Sequence, residues 1–131
     1  MKFKYENIWE KGLVASDFRI GNMMFFLEDI KARGYYPLSI YDIGAYKGNW
    51  SYMAKMIYPE AEIILIEPLE EMKENLIFFC EKNTKSKYFK YALGERIETL
   101  NMFVNKDLHS STFIEEKKSL NNKETRNTDV I

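Results

Sequence analysis

The sequence predicts an α/β fold built on a Rossmann-like parallel sheet, and two observations carry that expectation. The run Tyr41-Asp42-Ile43-Gly44-Ala45-Tyr46-Lys47-Gly48-Asn49-Trp50 reads as a strand that breaks into a glycine loop and then a helix. Such a junction is where an α/β domain holds a nucleotide-like ligand. About twenty residues downstream, the apolar run Ile63-Ile64-Leu65-Ile66 ends on Glu67-Pro68, which puts a carboxylate at the tip of the expected neighbouring strand. A glycine turn and that acid together imply a ribose between them.

Residues 1–37 form an N-terminal helical segment in this reading. The first sixteen residues carry no clear period; from Asp17, the positions Ile20, Met23, Met24, Leu27 and Ile30 follow helical spacing. Ser16 or Asp17 suits the N-cap, and Gly34 followed by Pro37 suits the stop. The methionine and phenylalanine stripe reads as core rather than as a cofactor box. A strand follows at Ser39 to Ile43, where Ile40, Tyr41 and Ile43 supply the residues of a strand buried on both faces. Gly44 permits a turn with positive φ, and Gly48 lets the next helix start hard against the sheet.

That helix is expected from Gly48 to Tyr58, burying Trp50, Met53, Ala54 and Ile57 and ending at Pro59. The second strand spans Glu62 to Glu67. A further helix begins near Leu69, with Glu70 and Glu71 complementing its dipole, Met72, Leu76, Phe79 and Cys80 facing inward, and Asn83 as C-cap. A third strand runs from Tyr88 to Ala92. The alternation from Glu98 to Val104 reads as one more, with Leu100, Met102 and Val104 on one side. Residues 38–113 thus form the ligand-binding unit, and residues 114–131 are expected to be a disordered tail, because Glu115 to Asp129 is almost all charged and polar with Leu120 its lone sizeable apolar side chain.

Composition narrows the function classes. At 131 residues with 46% hydrophobic content, one packed domain is credible. A net charge of −1 argues against a nucleic-acid or membrane-surface binder, which needs a basic excess on one face. The N-terminus lacks the apolar core of a signal peptide, about seven residues or more, and no stretch reaches the roughly eighteen apolar residues of a membrane span. Cys80 is the only cysteine and has no internal partner. These features point to the cytoplasm.

The loop spacing decides between ligands. It is Asp-x-Gly-Ala-x-x-Gly, without the Gly-x-Gly-x-x-Gly that brings a backbone against a pyrophosphate. A ligand without phosphate matches better. S-adenosyl-L-methionine needs an acid for its ribose, and its ammonium group suits a carboxylate such as Asp42, so it ranks above NAD. Asp42 has a second reading as a cap on the loop's N–H groups. Glu67 has one as a solvated acid at a strand end. Tyr46 either covers the ligand or packs, and Cys80 is most simply a helical core residue.

Asp42-Ile43-Gly44-Ala45 through Gly48-Asn49-Trp50-Ser51, then Pro59, Glu67-Pro68, Asn83, Ala92-Leu93-Gly94-Glu95 and Ser110-Ser111, resemble the FkbM-type S-adenosylmethionine-dependent methyltransferases over about Leu38 to Phe113. The resemblance implies a class I methyltransferase fold with the cofactor at Asp42, Gly44, Ala45, Tyr46, Gly48, Asn49, Glu67 and Pro68, and with Ala92 and Leu93 beside the adenine. It implies O-methylation of a hydroxyl on a small molecule or glycan, and it places Ser110 and Ser111 near the cleft. His109, the only histidine, is the candidate general base. Tyr46 departs from the family, which commonly has a small polar residue such as Asn there.

Nothing in residues 114–131 matches the family's next acidic motif, Asp-x-Glu-Gly. The expectation is therefore a cofactor-binding half, with the sheet stopping after its first three to four strands. The alternative is a truncated, non-catalytic binding or interaction module that self-associates through an exposed sheet edge. An NAD-dependent oxidoreductase ranks third.

Overall fold

The computed structural model describes residues 18–106, 108 and 123–131, and within them the protein is mixed α/β. The order is α1 (Phe18–Ala32), β1 (Ser39–Ile43), α2 (Asn49–Ile57), β2 (Glu62–Ile66), a short 3-10 turn (Glu70–Met72), α3 (Lys73–Lys82), β3 (Lys87–Phe89), β4 (Glu98–Asn105) and β5 (Lys123–Val130). Three strands form a parallel sheet in the order β1-β2-β3, and β4 and β5 form an antiparallel pair. The residues expected before Phe18, with the N-cap at Ser16 or Asp17, lie outside the described residues, as does the side chain of Ile20.

The core lies between one face of the parallel sheet and helices α2 and α3. Met53 and Ile57 from α2, Ile63 and Leu65 from β2, and Leu76 and Phe79 from α3 are completely buried there. Burying one such side chain contributes about 1.5–3 kcal/mol. Tyr52 meets Phe79 edge to face, with ring centroids 4.8 Å apart. Helix α1 extends this layer through Met24 and Leu27, and the Tyr58 hydroxyl donates to the Leu27 carbonyl at 3.1 Å. Trp50 and Cys80 are half-buried at its margin.

The opposite face of β1 departs from expectation. Ile40 and Asp42 turn inward, while Tyr41 and Ile43 are each 60% exposed, so β1 is buried on one face only among the described residues. The alternation is the period-2 pattern of a half-covered strand. β3 is shorter than expected, because the chain leaves the ladder after Phe89 and Ala92 pairs instead with Val130.

The expectation of a disordered tail is corrected at Lys123–Val130, which forms β5; residues 114–122 lie outside the described residues. β5 has few apolar residues, yet every one of its positions pairs with β4, from Lys123 opposite Asn105 to Val130 opposite Glu98. Thr128 and Val130 are buried at alternate positions. Arg126, on the same face, donates to Glu71 at 2.7 Å and to Glu124 at 2.9 Å. Mean composition hid a period-2 strand whose stabilisation is a backbone ladder plus a buried edge.

β5 also docks on the segment after β3. Ala92 N–H donates to the Asp129 carbonyl at 2.9 Å, Ile131 N–H to the Ala92 carbonyl at 3.0 Å, and Gly94 N–H to the Ile131 carbonyl at 3.1 Å. A Cβ on Gly94 would lie 2.4 Å from Val130 Cγ1, a β-branched group with little room to turn away. Gly94→Ala is therefore expected to lower unfolding stability by about 1–3 kcal/mol, and Val130→Ala in the same chain should recover part of that loss. Strict additivity of the two changes in urea melts would refute this packing.

Candidate functional site

The site gathers at the carboxyl ends of β1 and β2, where a parallel sheet opens onto its crevice. β1 ends at Ile43, and Gly44 turns the chain with φ of 74°. A Cβ added at Gly44 would meet nothing within 4 Å, so this side of the loop stands open to a ligand. Gly48 closes the loop at φ of 79° as the N-cap of α2, and a Cβ there would press on Leu76 Cδ2 at 3.1 Å. Between them Tyr46 also has positive φ, 48°. That conformation costs a residue with a large side chain roughly 1–2 kcal/mol, so other bonds must hold it.

Those bonds come from Glu67. Its carboxylate accepts the Tyr46 N–H at Oε2 and the Leu69 N–H at Oε1, both at 2.9 Å. The acid is only 5% exposed, which excludes the reading of a solvated strand end. Its own backbone is held as well, because Glu67 N–H donates to the Phe89 carbonyl and the Tyr88 hydroxyl donates to the Glu67 carbonyl. An ionised carboxylate offers about four acceptor directions, and these bonds take one on each oxygen. Burial pushes the Glu67 carboxyl above its ordinary value, opposed by the two N–H bonds, and the nearby Asp42 charge adds to the rise. Burial also raises the Tyr88 phenol to about 12, with Glu67 and Glu70 contributing.

Asp42 turns inward from β1 and reaches the first turn of α2. The Ser51 hydroxyl donates to its Oδ2 at 2.6 Å, and the Ser51 N–H donates to the same carboxylate. It thus serves as the helix cap that Gly48 lacks. Of the two readings of Asp42, the geometry displays the capping one. Burial raises its carboxyl above the ordinary value, with the Ser51 bonds opposing.

Three more loop donors are engaged within the chain. Gly44 and Ala45 N–H both donate to the Ile66 carbonyl, and Gly48 N–H donates to the Ala45 carbonyl. With Tyr46 on Glu67, the loop does not present the row of free N–H groups that cradles a phosphate. Ala45 is buried, and Asn49 and Pro68 are half-buried. Ala92 is buried and bonded to β5, while Leu93 is exposed past the carboxyl end of β3.

The structure therefore brings Gly44, Ala45, Tyr46, Gly48 and Glu67 together through bonds between the loop and the end of β2, sets Asp42 beside them through Ser51 and its charge on Glu67, and holds Ala92 apart from them on β5. His109, Ser110 and Ser111 lie outside the described residues. Sequence reasoning missed Ser51 and Tyr88 as partners of the two acids. Ser51 carried one signal, its place in the first turn after Gly48; Tyr88 carried none. Against known proteins, no family model matches the chain, and neither a curated protein nor a solved structure matches it. Among the described residues, no helix is long and apolar enough to cross a membrane.

The two raised acids set the sign of a pH effect. Folded, Asp42 and Glu67 hold protons more tightly than unfolded, so their contribution to stability falls as pH rises from the ordinary carboxylate range through their raised native values. The exposed pairs of Glu60 with Lys85 and Glu62 with Lys87 act oppositely, and their contribution is lost as pH falls through the depressed native values. Asp42→Asn keeps an acceptor for Ser51 and removes the buried charge. Its stability relative to the native chain should rise between pH 4 and pH 8 in denaturant titrations, as about one buried carboxylate's titration requires; a pH-independent difference would contradict the assignment.

Proposed function

We propose that this chain is the cofactor-binding part of an S-adenosylmethionine-dependent methyltransferase of the FkbM type, acting on a hydroxyl of a small molecule or glycan. The observation that carries the reading is the buried Glu67 carboxylate at the tip of β2, bonded to the glycine loop that follows β1 and keeping one acceptor direction on each oxygen. Two adjacent ribose hydroxyls are the natural donors for such a pair. The engaged loop donors favour a phosphate-free ligand over NAD, and the open side of Gly44 leaves room for it. The residues present fit the group on these counts.

When bound, S-adenosylmethionine supplies an electrophilic methyl on its sulfonium. The chain's own residues bind and orient. Glu67 grips the sugar and fixes Tyr46; Asp42 acts through the loop by anchoring the start of α2. Methyl transfer of this kind depends mainly on holding donor and acceptor at near-attack distance. Glu67→Ala removes charge-assisted bonds worth about 1.5–3 kcal/mol each, and calorimetry should show S-adenosylmethionine binding weakened roughly tenfold to a hundredfold. No heat of binding by the folded native chain at millimolar ligand would end the cofactor reading.

A second reading is a non-catalytic interaction module, favoured by the free edge of β1. Among the described residues β1 pairs with β2 alone, and Leu38, Tyr41 and Ile43 are exposed along it. Such an edge is a template for another chain. Size-exclusion chromatography of the native chain should then show dimers or larger species that Ile43→Lys disperses. A native chain that elutes as a monomer at high concentration would remove this alternative, and turnover by that monomer would do so as well.

A further inference from the structure

Tyr46 is the residue of the site whose position is hardest to explain by packing alone. Gly or Asn would take its backbone conformation with less strain, yet the chain places a large ring there. The Glu67 carboxylate holds its N–H, and one side of the half-buried ring packs against the core. A cation already stands over the ring: Lys47 Nζ lies 5.5 Å from its centroid. Lys47 is otherwise an exposed side chain, and Asp42 and Glu67 place two carboxylates in the same corner.

We propose that the Tyr46 ring is the seat of a sulfonium group, held by the Lys47 ammonium until a ligand displaces it, and that it makes the site prefer the charged S-adenosylmethionine to the neutral S-adenosylhomocysteine. The proposal rests on the cofactor reading above and adds to it a determinant of charge. An aromatic face attracts cations through its quadrupole, more strongly where one side of the ring is shielded from water. An ammonium is compact and strongly hydrated, so it is the weaker tenant. A sulfonium carries its charge on a larger, less hydrated group and can replace it. Loss of one methyl turns that cation into a neutral thioether, and the attraction goes with it.

Two measurements on the full chain separate this idea from the cofactor reading. In NMR titrations, trimethylsulfonium should shift the Tyr46 ring resonances, and do so at lower concentration in Lys47→Met; the neutral isostere tert-butanol should leave them in place. In calorimetry, the native preference for S-adenosylmethionine over S-adenosylhomocysteine should drop by about three- to thirtyfold in Tyr46→Leu, persist in Tyr46→Phe and widen in Lys47→Met. The proposal is overturned if trimethylsulfonium shifts no Tyr46 resonance, or if Tyr46→Leu weakens both adenosyl ligands by the same factor. Ring shifts with trimethylsulfonium but no binding of either adenosyl ligand would support the cation seat and discard the cofactor reading.

Discussion

The arrangement depends on the Glu67 carboxylate and its bonds to Tyr46 N–H and Leu69 N–H. One oxygen reaches across to the loop after β1, and the other turns back onto the chain after β2. The acid thereby joins the tips of two parallel strands whose ladder has already ended at Ile43 and Ile66. It supplies one restraint that offsets the strain of a left-handed tyrosine. The loop's shape is therefore a consequence of a side chain twenty-one positions away, not only of its own glycines.

Asp42 repeats the device on the other side of the loop. Its carboxylate holds Ser51, and so fixes where α2 begins relative to β1. Two buried acids near each other are costly to fold around, since burial raises both and the Asp42 charge raises Glu67 further. A fold that needed only a capped helix could use a neutral acceptor. Two buried carboxylates beside one loop therefore cost stability that capping alone does not require.

The sequence made the elements legible wherever a regular period ran into a clear stop. The helix ending at Pro59, the strand ending on Glu67 and the alternation of Leu100, Met102 and Val104 all lie close to where spacing put them. β5 was not legible by composition, because its stability resides in backbone bonds to β4 and in only two buried side chains, Thr128 and Val130. Glu67 was legible as the acid at the tip of β2, but its bonds were not: no local spacing reveals that a carboxylate will bond Tyr46 N–H. For Asp42, a cap and a ligand contact were both open in the sequence, and only the position of Ser51 displays the first.

The uncovered face of the sheet bears on how the site can work. Tyr41 and Ile43 project from the side of β1 opposite the core, and Gly44 begins its turn directly after them. Anything that packs on that face, or adds a strand beside β1, must pass close to the loop. A parallel strand gains stability when both of its faces are covered, so such packing would be favourable and would also wall the open side of Gly44. The network of Asp42, Tyr46 and Glu67 is fixed from the core side alone. The loop is therefore held by bonds among the described residues, whereas the surroundings of Tyr41 and Ile43 depend on whatever covers them. The loop and the exposed face of β1 are in this way set by different residues, the first by the buried acids Asp42 and Glu67 and the second by Tyr41 and Ile43.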